Sequence, residues 1–480
     1  MMYLGLDLGT SGLKGLVIDD SGAVQAEATA PLNVARPAPG WSEQDPADWI
    51  AAAQAVLHAL SDKVDMAAIG GIGLSGQMHG ATVLDAADKV LRPCILWNDT
   101  RAHAQAARLD ADPQFRAVSG NIVFPGFTAP KLVWMADEEP DLFAQVAKVL
   151  LPKDYLRLWL TGAHVAEMSD AAGTSWLDVG ARDWSDDLLA ATGLTRDHMP
   201  ALVEGSAPSG GLRANLAQEF GLRAGIPVAG GAGDNAATAI GLGIARGGQG
   251  FVSLGTSGVL FAATDGYAPA PETAVHTFCH ALPDTWHQMG VILAATDALN
   301  WFAGIAGATA ADLTANLGTL QAPGQALFLP YLGGERTPLN DAGIRGAFIG
   351  LAHATDRAAA TRAVMEGVVY ALVDCQQALA ATGTRLDTLL AAGGGARSEY
   401  WLSALATALN VPIQVPQAGD YGAALGAARL GLMATTGAGA DAMPLPPIAR
   451  SFDPVSDKTQ AFQDGYARYR KAQSAIKELT

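Results

Sequence analysis

The pentapeptide LGTSG occupies residues 8–12, directly after Asp7, and returns at residues 254–258. The first copy lies in YLGLDLGTSGLKGLVID (residues 3–19) and the second in GGQGFVSLGTSGVLFAAT (residues 247–264). Both set apolar or alternating runs on either side of a glycine-hydroxyl turn, the pattern of a β-hairpin. Repetition of one unit far along a chain points to a duplicated architecture. Glycine-rich turns let backbone N–H groups converge on one point, and Thr or Ser hydroxyls add donors. Two such turns facing one cleft would hold both sides of a phosphate chain. Either copy alone also reads as an ordinary tight turn. The duplication, with an acid beside the first copy and another upstream of the second, favours the phosphate reading.

The rest of the chain repeats this grammar. After the first hairpin come DSG and AVQAEAT, then a helix expected from Asp45 to Leu60. MAAIGGIGLSG reads as a buried strand, and helices dominate residues 101–160. The pattern restarts near Pro227 with IPVAGGAGDNAATAIGLGIA, a strand, a glycine turn and an alanine-rich helix. LDTLLAAGGGARSEYWLSALATAL adds a strand, the triple glycine Gly393, Gly394 and Gly395, and a helix. Near the C-terminus Phe462, Tyr466 and Tyr469 share one helical face, which reads as core or subunit contact and leaves a homodimer open. With a hinge in residues 247–250, the expectation is two α/β domains, 1–246 and 247–480.

Two aspartates stand out. Asp7 lies mid-strand among apolar neighbours, where a carboxylate is unfavourable unless it meets a cation or donors. Mg²⁺, which prefers carboxylates, phosphates and water, suits it, and a turn-capping Asp is the alternative. Asp234 stands at a strand end just before a helix. That position suits a carboxylate receiving a proton from a bound hydroxyl. It equally suits a helix cap, where the positive helix end would lower its pKa and keep it ionised.

At these residues the sequence resembles a known family. LGLDLGTSGLKGLVID resembles the first phosphate hairpin of the sugar-kinase, chaperone and actin ATPase superfamily. GFTAPKLVWMADEEP (residues 126–140) and GAFIGLAHATDRAAATRAVMEGVVYAL (residues 346–372) resemble the two signatures of the FGGY carbohydrate kinases. LSGQMHGATVLDAADKVLRPCILWNDTRA (residues 74–102), GWSEQDPADW (40–49) and SDAAGTSWLDV (169–179) are similar to the branch that acts on D-xylulose. The resemblance implies two ribonuclease-H-like α/β domains flanking a cleft, with transfer of the ATP γ-phosphoryl to O5 of the sugar. By matching position it implies Asp234 as base and Asp7 as the acid on the metal side, with ATP and Mg²⁺ as cofactors. It places Met78, His79, Gly80 and Asn235 on the sugar, with Trp97, Asn98 and Arg101 forming or supporting that side. Gly9, Thr10, Ser11, Gly255, Thr256 and Ser257 fall to the phosphates, and Gly393, Gly394, Gly395 and Arg397 to the nucleotide. Lys14 goes with the first hairpin without a defined role, since TSGLKG lacks the GxxxxGK[ST] spacing. Asp420 and Tyr421 precede Gly422 where the branch more often has an acid beside the alanine run, which leaves the adenine contacts open.

From the residues themselves, a polyol needs short polar groups beside a flat apolar floor. His79 can donate or accept and Met78 can pack on a carbon face; a satisfied core histidine is the alternative. The triple glycine reads almost as well as a tight strand-to-helix crossing, and GAALGAARLG (residues 422–431) reads as a closely packed helix. The formal net charge of −17 and the lack of a basic stripe speak against nucleic acid or an anionic membrane as partner. Cys94, Cys279 and Cys375 show no metal or disulfide spacing, which with no recognisable signal peptide suits the cytoplasm. Rivals are a kinase of the same family acting on ribulose, gluconate, fuculose or glycerol, and a chaperone- or actin-like ATPase.

Overall fold

The computed structural model describes residues 1–315, 317–417, 422–440 and 443–479. Asp420 and Tyr421 lie outside the described residues. Two mixed seven-stranded sheets organise the chain. The first contains β1 (Met2–Leu8), β2 (Gly12–Asp19), β3 (Val24–Pro31), β4 (Ile69–Gly76), β5 (Pro208–Gly211), β6 (Pro227–Ala229) and β7 (Ala232–Gly233), in the order β5-β6-β4-β1-β2-β3, with β7 also on β4. The second contains β8 (Gly248–Leu254), β9 (Gly258–Thr264), β10 (His276–Cys279), β11 (Trp286–Ile292), β12 (Leu386–Ala392), β13 (Ile413–Pro416) and β14 (Ile448–Phe452), in the order β10-β11-β9-β8-β12-β13-β14.

The two sheets share a plan. In each, the LGTSG turn joins an antiparallel hairpin whose first strand runs parallel to a later strand. β1 pairs with β2 and β4, and β8 pairs with β9 and β12. This is the ribonuclease-H-like arrangement. Helix α1 (Pro46–Ser61) begins as its sequence dictates, with the Asp45 side chain accepting from Ala47 N–H and Pro46 in the first turn. Its buried face, including Trp49, Ala53, Val56 and Leu60, covers β2 and β3. Helix α2 (Thr128–Glu138) lies in the core that joins the halves, helix α3 (Pro152–Thr161) packs on β4 and α1, and α4 (Asp234–Gly241) follows β7. In the second half α5 (Arg357–Ala381) and α6 (Glu399–Leu409) pack on the sheet.

Helix α7 (Gly422–Thr436) crosses back and packs against β1, β4 and α4. Its small residues permit this. A Cβ on Gly73 would lie 1.7 Å from Ala427 O, and one on Gly426 would lie 1.7 Å from Ala237 O. The run 422–431 is therefore a packing surface, as its composition suggests. Helix α8 (Ser456–Lys477) closes the chain. Phe462 and Tyr469 are buried in the second core, where the Tyr469 and Tyr331 hydroxyls lie 2.6 Å apart, so this stripe is core. A third core joins the halves, with residues 78–199 packing against β9, β10 and β11.

Candidate active site

Both turns are held from behind. In the first, Thr10 O accepts from Gln44 Nε2 at 2.8 Å and Ser11 O accepts from Leu32 N–H. In the second, Gly255 O accepts from the N–H and hydroxyl of Thr296, and Thr256 O from Ala295 N–H at 2.8 Å. The N–H groups of Thr10, Ser11, Thr256 and Ser257 make no hydrogen bond among the described residues. Carbonyls turned inward and amides left over at a glycine-rich tip are what an anion site requires. Gly9 donates its N–H to Gly12 O and closes the first turn.

Register places the acids. Asp7 sits opposite Ser75 of β4, whose hydroxyl donates to Asp7 Oδ1 at 2.8 Å. Burial raises the Asp7 pKa, opposed by Ser75 and by the charge of Lys14. Lys14 lies across the hairpin from Asp7, with its ammonium 3.1 Å from Glu27, which places it on the second strand rather than at the turn. Asp234 is the first residue of α4, one past the cap position held by Gly233. Its Oδ1 accepts from the N–H of Asn235 at 2.7 Å and from the Asn235 side chain at 2.9 Å. The lowered pKa expected at a helix end is not found. Burial, and then the Asp7 charge, push Asp234 up to about 6, outweighing the Asn235 donors. The two carboxylates are thus close enough to repel, and both stay half-buried, surrounded by protein yet open to the cleft.

Beside them, His79 holds φ at 68°, in the left-handed region, where a side chain is strained. Its ring stacks on Phe127 with centroids 4.5 Å apart, and its Nδ1 is 2.7 Å from Gly173 O. A carbonyl only accepts, so Nδ1 carries the proton and Nε2 is left as an acceptor. Burial lowers the His79 pKa to about 3 and keeps the ring neutral. Met78 lies against Gly233, whose added Cβ would come 2.9 Å from Met78 Cγ. Gly80 is packed against Pro152 and Cys94. Met78, His79, Gly80, Asp234 and Asn235 therefore gather at one place.

Trp97 reaches the first hairpin. It is 48% exposed, and its Nε1 donates to Thr10 Oγ1 at 3.0 Å. Asn98 is partly exposed next to it, with a buried Oδ1 that lacks a partner. Arg101 was expected to form or support the sugar side. Its buried guanidinium pairs with Asp99 and Glu43 and lies 3.6 Å from the centre of the Trp41 ring, so it braces the loop carrying Trp97.

The triple glycine adjoins the second turn. Added Cβ atoms on Gly393 and Gly395 would lie 2.7 Å from Leu254 O and Leu254 Cβ, so both mark a tight crossing. Gly394 faces open space. Arg397 lines a cavity of about 760 Å³, together with Glu399, Tyr400 and Phe452.

Residues 2–241 match the N-terminal domain of the FGGY family of carbohydrate kinases, and residues 250–435 match its C-terminal domain. The chain belongs to the FGGY family of carbohydrate kinases. It is 46% identical to a xylulose kinase of Escherichia coli K12, over 98% of both chains. A solved xyloylose kinase of Brucella ovis is 61% identical and covers all of both chains, with a TM-score of 0.98. A gluconate kinase of Lactobacillus acidophilus is 25% identical over 99% of this chain and 98% of its own, with a TM-score of 0.92. The FGGY fold alone therefore does not fix the sugar.

Sequence reasoning missed the supports of this FGGY site. Lys131, within the stretch 126–140, is buried and donates to His79 O at 2.8 Å and Gly126 O at 2.7 Å, fixing the strained histidine. Burial lowers its pKa to about 7. Lys153 lies within 3.2 Å of Asp154, Glu167 and Asp170, all fully buried. Arg157 pairs with Asp154 and donates to the carbonyls of Ala229 and Gly230, while Ser169 Oγ accepts Gly233 N–H at 3.1 Å. Together they hold the strand that ends at Asp234. The cue was a Lys-Asp pair and an Arg inside an otherwise apolar helix, PKDYLRLWLT.

Among the described residues no group of three or more His, Cys, Asp or Glu side chains converges as metal ligands. Asp7 Oδ2, half-buried and with no hydrogen bond among the described residues, is a carboxylate oxygen of the kind Mg²⁺ takes, while the lack of nitrogen or sulfur donors beside it suits Zn²⁺ poorly.

Proposed function

We propose that this FGGY kinase transfers the γ-phosphoryl group of ATP to O5 of D-xylulose, giving D-xylulose 5-phosphate and ADP. The observation that carries this reading is the repelling carboxylate pair Asp7–Asp234 beside a pocket lined by Met78 and a neutral His79. Identity to proteins named xylulose kinase supports the choice of sugar.

Asp234 accepts the O5 proton as O5 attacks the γ-phosphorus and the bond to the β,γ-bridging oxygen breaks. A pKa of about 6 leaves it ionised at neutral pH and close to the operating range of a general base. In a loose transition state its main work is to orient the hydroxyl. His79 Nε2 accepts from a sugar hydroxyl, Met78 floors the carbon chain, and Asn235 holds the Asp234 carboxylate. The free amides of the two turns bind the phosphates, and Gly394 and Arg397 border the nucleotide. Asp7 would hold Mg²⁺, which would neutralise the phosphate charge. Residues 1–246 serve as the sugar side and 247–480 as the nucleotide side, with α7 of the second half packed on the first sheet. The three cysteines are buried and unpaired, and no described helix is long and apolar enough to cross a membrane, which fits a cytoplasmic enzyme.

The test is ADP release with D-xylulose, D-ribulose, gluconate, L-fuculose and glycerol. D-Xylulose should give the highest kcat/KM; a higher value for any other sugar reassigns the substrate, and ATP turnover indifferent to all five rejects the kinase reading.

A further inference from the structure

A closed ring of hydrogen bonds lies behind the first turn. The Thr10 hydroxyl donates to Gln77 Oε1 at 3.0 Å, Gln77 Nε2 donates to Gln44 Oε1 at 2.9 Å, and Gln44 Nε2 returns to Thr10 O at 2.8 Å. Gln77 follows β4 and directly precedes Met78 and His79, and its own N–H donates to Leu8 O at 2.8 Å. Gln44 stands just before α1. Both glutamines are buried.

Two indoles fix the direction of every bond in this ring, because an indole N–H only donates. Trp97 Nε1 donates to Thr10 Oγ1 at 3.0 Å, which leaves the Thr10 proton for Gln77. Trp49 Nε1 donates to Gln44 Oε1 at 3.0 Å, so Gln44 presents its nitrogen to Thr10 O and, at 3.1 Å, to Asn33 O. Flipping either amide would set one oxygen against another. The ring has one consequence outside itself. A peptide unit is planar and trans, so the Thr10 carbonyl and the Ser11 N–H point in opposite directions. Gln44 holds that carbonyl inward, which turns the Ser11 N–H outward, where it makes no hydrogen bond among the described residues. The sugar segment is held by other groups. Lys131 and Thr128 donate to His79 O, and the His79 ring rests on Phe127 and Gly173 O.

We infer that Gln77, although it adjoins the sugar-pocket residues in sequence, is a positioning residue for the nucleotide: through Gln44 it fixes the Thr10–Ser11 peptide so that the Ser11 N–H is presented to the ATP phosphates. The inference rests on the phosphate reading of the turns given above. An amide already aimed needs no reordering when the anion arrives, and that is what makes a backbone donor effective. Gln77 reaches the peptide by way of Gln44 Oε1, whose own nitrogen carries the bond to Thr10 O. The Thr10 hydroxyl only seats Gln77, so the path to the peptide does not depend on it.

The test measures the KM for ATP and for D-xylulose in Gln77→Met, Gln44→Met and the double variant, with thermal melts alongside. Met keeps the length of Gln without its polar atoms. In Gln77→Met the Thr10 hydroxyl keeps Trp97 and Gln44 Oε1 keeps Trp49, so no partner is stranded. Gln44→Met should raise the KM for ATP about tenfold, near the loss of one charge-assisted hydrogen bond. Gln77→Met should raise it about three- to tenfold. The KM for D-xylulose should stay within about twofold in both, since the sugar pocket loses no partner. The double variant should be no worse than Gln44→Met, because Gln77 acts through Gln44. Gln77→Glu keeps the acceptor for Thr10 but loses the donor to Gln44, so it should match Gln77→Met and carries the comparison if that variant does not fold. ATP losses that multiply in the double variant, a rise in the sugar KM instead, or a lower melting temperature with both KM unchanged would overturn the assignment. The phosphate reading is checked apart from it by Ser11→Asp, which should raise the KM for ATP about tenfold by charge repulsion. An unchanged KM for ATP there would reject that reading and the inference with it, whereas a rise there without one in the glutamine variants would reject the inference alone.

Discussion

The two LGTSG hairpins share a sequence but differ in register and surroundings: Leu8 pairs with Leu13, whereas Leu254 pairs with Gly258. The residue before the first is Asp7, and the residue before the second is Ser253. In register these lie opposite Ser75 and Ala392 of the parallel strands. The first hairpin's Thr10 hydroxyl is committed, donating to Gln77 Oε1 at 3.0 Å while accepting from Trp97. Thr256 and Ser257 are exposed. A duplicated turn thus supplies the same amides twice, and the single changed position before it decides where charge sits. A carboxylate repels a phosphate chain unless a cation lies between them, so only one of the two hairpins can carry one. In the proposed function the first hairpin is the charged, rigid side and the second the neutral, open side.

The largest effect should come from the acid facing the charged hairpin. Asp234→Asn should lower kcat by on the order of 10²–10⁴ while nucleotide binding persists. The same change should stabilise the ligand-free protein. The folded pKa of about 6 lies above the ordinary carboxylate value, so ionisation penalises the native state fully above pH 6 and not at all below about pH 4. The variant should therefore melt higher at pH 7, with the gap closing as pH falls from 6 to 4. Wild-type kcat/KM should show an acid limb near pH 6, and Asp7→Asn should move that limb to lower pH by removing the like charge. A wild-type melting advantage at pH 7, or a limb unmoved by Asp7→Asn, would show that the two carboxylates do not act as a pair.

Making the second hairpin resemble the first tests the asymmetry directly. Ser253→Asp should raise the KM for ATP by about tenfold, the size of a Coulomb repulsion of ~1.4 kcal/mol between charges several ångströms apart in a partly screened cleft. The KM for sugar should hold. Equal KM for ATP in the variant would mean that the second turn does not face phosphate.

How much of this was legible depends on whether local sequence carried the constraint. Both hairpins, the helix expected from Asp45 to Leu60 and the packed helix at 422–431 follow from short local patterns, and the structure has all of them, with α1 at Pro46–Ser61. The gathering of Met78, His79 and Asp234 was legible through family resemblance, since spacing alone favours a core histidine at His79. The Asp234 pKa was misjudged because a helix end is a local cue, whereas its burial and its neighbour Asp7, on the other side of β4, are set by the sheet. The contacts of Arg101 were hidden for a similar reason. Its partners Glu43, Asp99 and Trp41 come from two separate segments. Lys131, Lys153 and Arg157 act on carbonyls or carboxylates of distant segments, and no periodicity marks such contacts.

The triple glycine sharpens the view of the second hairpin. Gly395→Ala would force a Cβ to 2.7 Å from Leu254 Cβ, directly behind the turn, and should destabilise by about 1–3 kcal/mol, the usual range for overpacking. Gly394→Ala meets nothing and should leave stability unchanged while raising the KM for ATP. Thermal melts and ATP kinetics on the two variants separate a crossing from a nucleotide contact, and a Gly394→Ala enzyme with wild-type KM for ATP would assign the whole cluster to packing.

The smallest effects should come from the hydroxyls at the tips, and they should differ in kind. Thr10→Val removes the acceptor of Trp97 and the donor to Gln77, so it should cost about 1 kcal/mol of stability and raise the sugar KM a few-fold through the freed Trp97. Thr256→Val touches an exposed side chain and should stay within about 0.5 kcal/mol of wild type while moving only the KM for ATP. If both substitutions shift the same KM, the hairpins are functionally interchangeable, and the charge at Asp7 would then be the only thing that distinguishes the two sides of the cleft.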